Sequence, residues 1–186
     1  MGKEQNSNYY DSVYKIAESY KIDWQHSRYK NLWEAVIKLL NLNNPILDLG
    51  CGPGQFAKMC MDKGALDYFG IDFSQQAIDQ AKSMNKGNKA TFVVGDLFKI
   101  GYHLNDETQV VICETLEHIE KDLELITQIR NLNKGKRFVF TVPTFDDTSH
   151  VRYYKTAKEW EDRFSDVVKV AGWEQIGPWI IIHGWF

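Results

Sequence analysis

Cysteine and proline are scarce in this chain, with three Cys and four Pro among 186 residues. Cys51, Cys60 and Cys113 are odd in number, and they show neither C-x-x-C spacing nor a paired metal-binding pattern. They read as reduced thiols of a cytoplasmic protein, with glycine-flanked Cys51 as a small space-filling residue. Long apolar runs are also missing. Nothing approaches the ~20 residues that a membrane span requires. The opening MGKEQNSNYY lacks the apolar centre of a secretory signal and has Asn6 where a myristoylation signal carries Ser or Thr. No membrane is therefore expected. A dominant charge is absent too: 22 Lys+Arg stand against 25 Asp+Glu, a net −3. That excludes the basic surface with which polyanion binders announce themselves. Low-complexity tracts and internal repeats do not occur. What the chain does have is 44% hydrophobic residues, in a length that suits one domain (residues 1–186). A domain of this size buries about 70% of its unfolded surface and needs no disulfide or metal to fold.

Residues 1–43 read as helical, because Val13, Ile16, Ala17 and Tyr20, and then Leu32, Val36, Leu39 and Leu40, recur at helical spacing. After Pro45 strands and helices alternate through residue 186. Strands are expected at Ile46–Leu49, Tyr68–Ile71, Thr91–Val94, Val110–Cys113 and Phe138–Val142. Helices lie between them: Phe56–Lys63 closed by Gly64, one capped by Ser74, and one carrying Leu123, Ile126 and Ile129. The polar stretch from Lys99 to Thr108 has little helix signal. A helix over Lys155–Phe164 and two closing strands, Val167–Val170 and Trp179–His183, finish the chain, at least one of them antiparallel. The pattern predicts an α/β, Rossmann-like doubly wound sheet, mostly parallel, under an N-terminal helical lid. Trp24, Arg28 and Tyr29 are lid candidates. Residues 143–154 form a long loop without a pattern, the kind that often carries function.

The most informative segment is Leu47-Asp48-Leu49-Gly50-Cys51-Gly52-Pro53-Gly54-Gln55-Phe56, at the carboxyl end of the first strand, where open α/β sheets bind ligands. A dinucleotide turn wants glycine or alanine at its sixth position, which here is Gln55. Asp48 would also repel a pyrophosphate and suits a ligand with a positive centre. Asp72, ending the second strand, can accept both hydroxyls of a ribose. Phe73 can pack on an adenine, and Asp96 at the end of the third strand can bond its amino group. Adenine, ribose, a cationic part and no phosphate describe S-adenosylmethionine.

At these residues the sequence resembles the class I S-adenosylmethionine-dependent methyltransferases, over about residues 45–142. LDLGCGPGQFA is similar to the glycine-rich first motif of that family, FGIDFS to its ribose-binding motif and VVGDLF to its adenine-edge motif. VICETLEHI is similar to the segment after the fourth strand and FVFTVP to the fifth strand. The resemblance implies that Gly50, Cys51, Gly52 and Gly54 line the methionine moiety. It also implies that Asp72 holds the ribose, Phe73, Asp96 and Leu97 frame the adenine, and Glu114 lies beneath the cofactor. S-adenosyl-L-homocysteine is then the product. E-T-L-E-H resembles the segment in small-metabolite members, including the quinone-biosynthesis O-methyltransferases.

Methyl transfer from a sulfonium needs mainly position and exclusion of water. A base helps an oxygen nucleophile. His150, in the loop after the fifth strand, is expected to act as base or orienting group, with Arg152 pairing an anionic part of the substrate; the competing reading pairs Arg152 with Asp146 or Asp147. His118 is a second catalytic candidate. The expected acceptor is the O or N nucleophile of a small molecule, not a nucleic acid, with no resident metal, and the chain acts as a monomer or homodimer. Two alternatives stand beside this. Glu114, Glu117, His118 and His150 match the ligand set of metal-dependent RNA 2′-O-methyltransferases. The chain could also be a silent module that binds S-adenosylmethionine.

Overall fold

A computed structural model of the chain describes residues 2–99 and 107–186. Most of the polar stretch 99–108 lies outside them. Two helices come first, α1 (Ser7–Ile16) and α2 (Lys30–Lys38), separated by two single 3-10 turns. The alternation then runs β1 (Ile46–Leu49), α3 (Gln55–Asp62), β2 (Tyr68–Asp72), α4 (Gln75–Met84) and β3 (Ala90–Val94). It continues through β4 (Gln109–Cys113), α5 (Asp122–Leu132), β5 (Arg137–Pro143), α6 (Ala157–Phe164), β6 (Lys169–Ile176) and β7 (Trp179–Trp185).

The seven strands lie in the order β3-β2-β1-β4-β5-β7-β6. The first five are parallel, while β7 runs antiparallel to both β5 and β6. The order reverses between β1 and β4, and that is where an open sheet leaves a crevice at its carboxyl edge. Buried strands with both faces covered need apolar residues on both sides, and β1 and β4 are buried along almost their full length. Leu47, Leu49, Ile71, Val110, Ile112, Phe138 and Phe140 share one core with α5 and α6, where Trp160 and Phe164 are fully buried. Ile46, Tyr68, Phe92, Val111 and Val139 face the other core with α2, α3 and α4.

Helix starts follow local chemistry. Ser74 accepts from Ala77 N–H (3.0 Å), as its sequence position predicts, and Thr156 accepts from Glu159 N–H (3.2 Å). The closing strands differ from expectation. β6 begins at Lys169 rather than Val167 and runs through Gly172 to Ile176. Pairing with β7 shifts register between Val170 and Gly172, and a bulge of this kind accepts a glycine that would otherwise end the strand.

Candidate active site

At the carboxyl edge of β1 the chain turns through three left-handed glycines, Gly50 (φ 84°), Gly52 (φ 52°) and Gly54 (φ 78°). Gly54 also serves helix packing. A side chain there would meet Ala81 Cβ at 2.8 Å, so α3 can start against α4 only without one. Gly50 and Cys51 N–H both donate to Ile71 O, and Gly54 N–H donates to Cys51 O (2.8, 3.0 and 3.3 Å). Gly52 N–H donates to Asp72 Oδ2 (2.9 Å), while Ser74 N–H donates to Asp72 Oδ1 (2.9 Å). Asp72 is thereby fixed at the end of β2 with lone pairs to spare. Burial raises its pKa to about 6, against the pull of those amides. Asp48 is buried beneath the turn, where burial raises its pKa to about 7. One of its oxygens accepts from the Tyr68 hydroxyl; the other has no hydrogen-bond donor.

A cavity of about 750 Å³ opens over this turn. Every expected cofactor residue lines it: Asp48, Gly50, Cys51, Gly52, Asp72, Phe73, Asp96, Leu97 and Glu114, with the exception of Gly54, which instead holds α3 against α4. Asp96 accepts from Phe98 N–H (3.0 Å) and pairs with Lys99 (3.0 Å). Its backbone and side-chain donors hold its pKa below the usual carboxylate range. Glu114, at the end of β4, has a left-handed φ of 52° that a glutamate adopts only under constraint. The Thr141 hydroxyl donates to its carboxylate (2.9 Å), and its own N–H donates to Thr141 Oγ1 (3.1 Å). Burial pushes its pKa upward.

The two histidines meet across the cavity. His118, in the single turn Leu116–His118, and His150, in the loop after β5, have ring centroids 5.0 Å apart. His118 Nδ1 lies 2.9 Å from Ser149 O, and His150 Nδ1 lies 3.2 Å from Phe145 O. A carbonyl only accepts, so each Nδ1 carries a proton and each Nε2 is left for other partners. Burial lowers the pKa of His118 to about 4, which keeps it neutral and makes it a weak base. Glu117 lies beside them, fully buried, with no hydrogen-bond donor to either oxygen. One ligand atom from each of Glu117, His118 and His150 lies within 4.8 Å of the others.

Two expectations are corrected. Arg152 does not line the cavity. Its guanidinium donates to Leu116 O, Ile119 O and Glu120 O and pairs with buried Asp122 at 3.0 Å. It ties the loop to the start of α5, because a fully buried Asp122 requires compensating charge, which Arg163 also supplies (2.6 Å). Trp24 is a core residue, buried and donating to Asp62 Oδ2 (2.9 Å), whereas Arg28 and Tyr29 do line the cavity.

Tyr14 of α1 and Asp147 of the loop after β5 also line the cavity, as does Phe145, which the sequence did not single out. Tyr10 and Tyr14, one helical turn apart on α1, are the face that α1 turns toward the site, and Tyr14 OH would lie 3.3 Å from a side chain on Gly52. Phe145 was marked only by its place just past the carboxyl end of β5.

Residues 46–135, which contain the glycine turn, both strand-end acids and the Glu117-His118 segment, match the sequence profile described as a methyltransferase domain. The matched stretch, just under half of the chain, is a methyltransferase domain. No curated protein matches its sequence. Its fold is similar to a chain of the complex between the Haloferax volcanii Trm112 methyltransferase activator and a methyltransferase, with 15% identity and a TM-score of 0.79 over 100% of this chain and 99% of that one. It is also similar to magnesium protoporphyrin IX methyltransferase from Synechocystis with bound S-adenosylhomocysteine (17%, TM-score 0.71, 96% of each chain). A third likeness is to an S-adenosylmethionine-dependent methyltransferase from Mesorhizobium loti (16%, TM-score 0.68, 88% of this chain and 100% of that one). The cofactor of this methyltransferase is S-adenosylmethionine, and its residues fit that molecule. Asp72 presents a fixed carboxylate for two hydroxyls, and the orphaned Asp48 oxygen offers negative charge beneath the turn. No helix among the described residues is long and apolar enough to cross a membrane.

Proposed function

We propose that this methyltransferase acts on the O or N nucleophile of a small molecule, with His150 as the proton acceptor. The cofactor supplies an already activated methyl group. The chain has to orient the nucleophile, exclude water and take up a proton. What carries the reading is one cavity that joins the strand-end acids of the cofactor crevice to a buried imidazole whose Nδ1 is held by a carbonyl, so that Nε2 is the ring nitrogen left to exchange a proton. His150 is 6% exposed, so a nucleophile meeting it is shielded from competing water. The N-terminal helix α1 forms the roof, with Tyr10 5.4 Å from Phe73 and 5.8 Å from His118 by ring centroids. Under this reading residues 1–186 form one domain in which 1–43 close the site.

His150→Ala should lower the transfer rate by roughly 10²-fold or more, the usual weight of a general base. S-adenosylhomocysteine affinity, measured by calorimetry, should stay within about twofold, since general-base loss acts on the rate rather than on cofactor binding. A proportionate loss of both would assign His150 to structure instead.

A second reading has its own support in Glu117, His118 and His150. Two imidazoles with carbonyl-fixed Nδ1 protons and one carboxylate without donors are the set a divalent cation takes, carbonyl partners included. These residues would hold the ion, which would lower the pKa of a bound hydroxyl; this is the chemistry of metal-dependent methylation of a ribose 2′-hydroxyl. Calorimetric titration with Mn²⁺ decides it. Binding that Glu117→Gln abolishes, together with transfer that stops in chelator, favours the metal reading; full transfer in chelator removes it.

A further inference from the structure

The cavity is lined by seven carboxylates, those of Glu4, Asp48, Asp72, Asp96, Glu114, Glu117 and Asp147, but among the described residues by only one Lys or Arg, which is Arg28. In such a field an anionic ligand has a single place to anchor. Arg28 sits between the second 3-10 turn and α2. Its Nη2 donates to the Tyr29 hydroxyl (2.5 Å) and its Cζ stands 4.7 Å over the Tyr29 ring. No carboxylate among the described residues pairs with it, so most of its five donors remain for a ligand.

Its position along the sheet says which ligand. The cofactor acids belong to β1, β2 and β3: Asp48, Asp72 and Asp96. Arg28 belongs to the opposite side of Glu114. The Tyr29 ring beneath it packs on Trp33 and on Trp179, the first residue of β7 (5.4 Å each). Trp179 in turn meets Phe145 (6.4 Å), and Phe145 meets His150 (5.6 Å). Tyr29, Trp33 and Phe145 thus present aromatic surface to the cavity between the cation and the imidazole, with Trp179 packed behind them.

Resting on the methyltransferase reading above, we infer that Arg28 is a specificity-determining residue. It anchors the anionic group of a planar, aromatic acceptor whose nucleophile points toward His150. The aromatic faces in the cavity suit a flat ring, and a guanidinium fork suits a carboxylate or similar planar anion.

The test compares wild type with Arg28→Gln and Arg28→Lys, using 4-hydroxyphenylacetate and its neutral isostere 4-hydroxyphenylacetamide as probes. Ligand-observed NMR reads their affinities with S-adenosylhomocysteine bound and again without it. Wild type should prefer the acid by roughly tenfold or more, the weight of a charge-assisted pair. Arg28→Gln should erase that preference and Arg28→Lys restore part of it. Calorimetry should show S-adenosylhomocysteine and 5′-methylthioadenosine, which lacks the carboxylate, binding all three proteins within about twofold of each other's wild-type values, because a residue on the acceptor side leaves cofactor affinity alone. Equal affinity for acid and amide in wild type overturns the inference, as does failure of the acid to bind. So does a selective loss of S-adenosylhomocysteine in Arg28→Gln with methylthioadenosine unchanged, which would give Arg28 to the cofactor carboxylate. If wild type bound no S-adenosylhomocysteine, the methyltransferase reading would fall, and the probe series on the ligand-free protein would still decide Arg28.

Discussion

Glu117 has 0% exposure and no hydrogen-bond donor for either carboxylate oxygen. Burial and the neighbouring Glu114 carboxylate drive its pKa well up, so the isolated protein holds it at a cost. Replacing it with the neutral, near-isosteric glutamine should therefore stabilise the ligand-free protein, by about 1–2 kcal/mol, since an unsatisfied buried carboxylate costs more than an amide in the same place. Thermal melting without metal checks this; a lowered melting temperature would mean that Glu117 has a structural partner in solution. Asp72 makes the opposite case. Both its oxygens are anchored by backbone amides, and only the ionised form can accept from two further hydroxyls. With its pKa raised to about 6, cofactor affinity should fall as pH drops through that value and level off above it. Asp72→Asn should weaken S-adenosylhomocysteine by roughly 10–100-fold, the worth of one or two charge-assisted hydrogen bonds, and should flatten the pH profile measured by calorimetry. Asp72 was legible in the sequence because strand-end acids are placed by the strand itself. Arg152 was not, because what pairs with it is Asp122, buried at the head of α5, and no spacing in the loop announces that.

Between elements, the roof over the site is attached at a few defined points. Asp11 of α1 accepts from the Ser74 hydroxyl (2.5 Å) and from Gln76 N–H (3.1 Å), so one helix caps the next. The segment before α1 crosses to the other wall, where Gly2 N–H donates to His150 O (2.8 Å) and Glu4 accepts from Glu120 N–H (2.6 Å). No residue of α1 is fully buried, so these polar ties hold what apolar area does not. A side chain at Gly2 would lie 1.8 Å from Thr148 O, a backbone atom that cannot move aside cheaply. Gly2→Ala should release the strap and raise hydrogen exchange at the amides of residues 147–151 several-fold while leaving those of β4 and β5 unchanged, as local opening without global unfolding does. Unchanged exchange in that loop would show that the strap does not hold it. Helix α1 itself was readable from Val13 and Ile16, although Ala17 and Tyr20 of the same stripe lie past its end. The strap was not, because a contact between residue 2 and residue 150 leaves no periodic trace. β6 shows a similar limit: Gly172 reads as a strand end until its partner strand supplies the bulge.

Across the whole molecule, the alternation of strands and helices made a mostly parallel sheet legible but not its strand order, because parallel strands need crossovers and α3, α4 and α5 were visible as apolar stripes. Charge distribution was hidden in the total. A net −3 says little, yet the cavity gathers seven acids around one arginine. Collecting carboxylates in a buried site has a consequence for stability. Asp48 is raised to about 7 and Asp72 to about 6, and Glu114 also moves upward, all through burial. A folded state that holds protons the unfolded chain has already released loses stability as pH rises, and this loss runs from the unfolded carboxylate value near 4 up through the folded values. His118, lowered to about 4, acts in the other direction, since the folded state resists a proton that the unfolded chain accepts below about 6.5. Above that value the histidine is neutral in both states and Asp48 still titrates. The ligand-free protein should therefore lose stability between about pH 6.5 and 8, by on the order of 1 kcal/mol. Asp48→Asn should reduce that slope and leave the share of Glu114 and Glu117, because the amide oxygen still accepts from Tyr68 while the buried charge is gone. Urea midpoints across this interval measure it. A midpoint that rises with pH in the wild type, or an unchanged slope in Asp48→Asn, would show that the crevice acids are solvated in the free protein and that the acidic site imposes no cost on the fold.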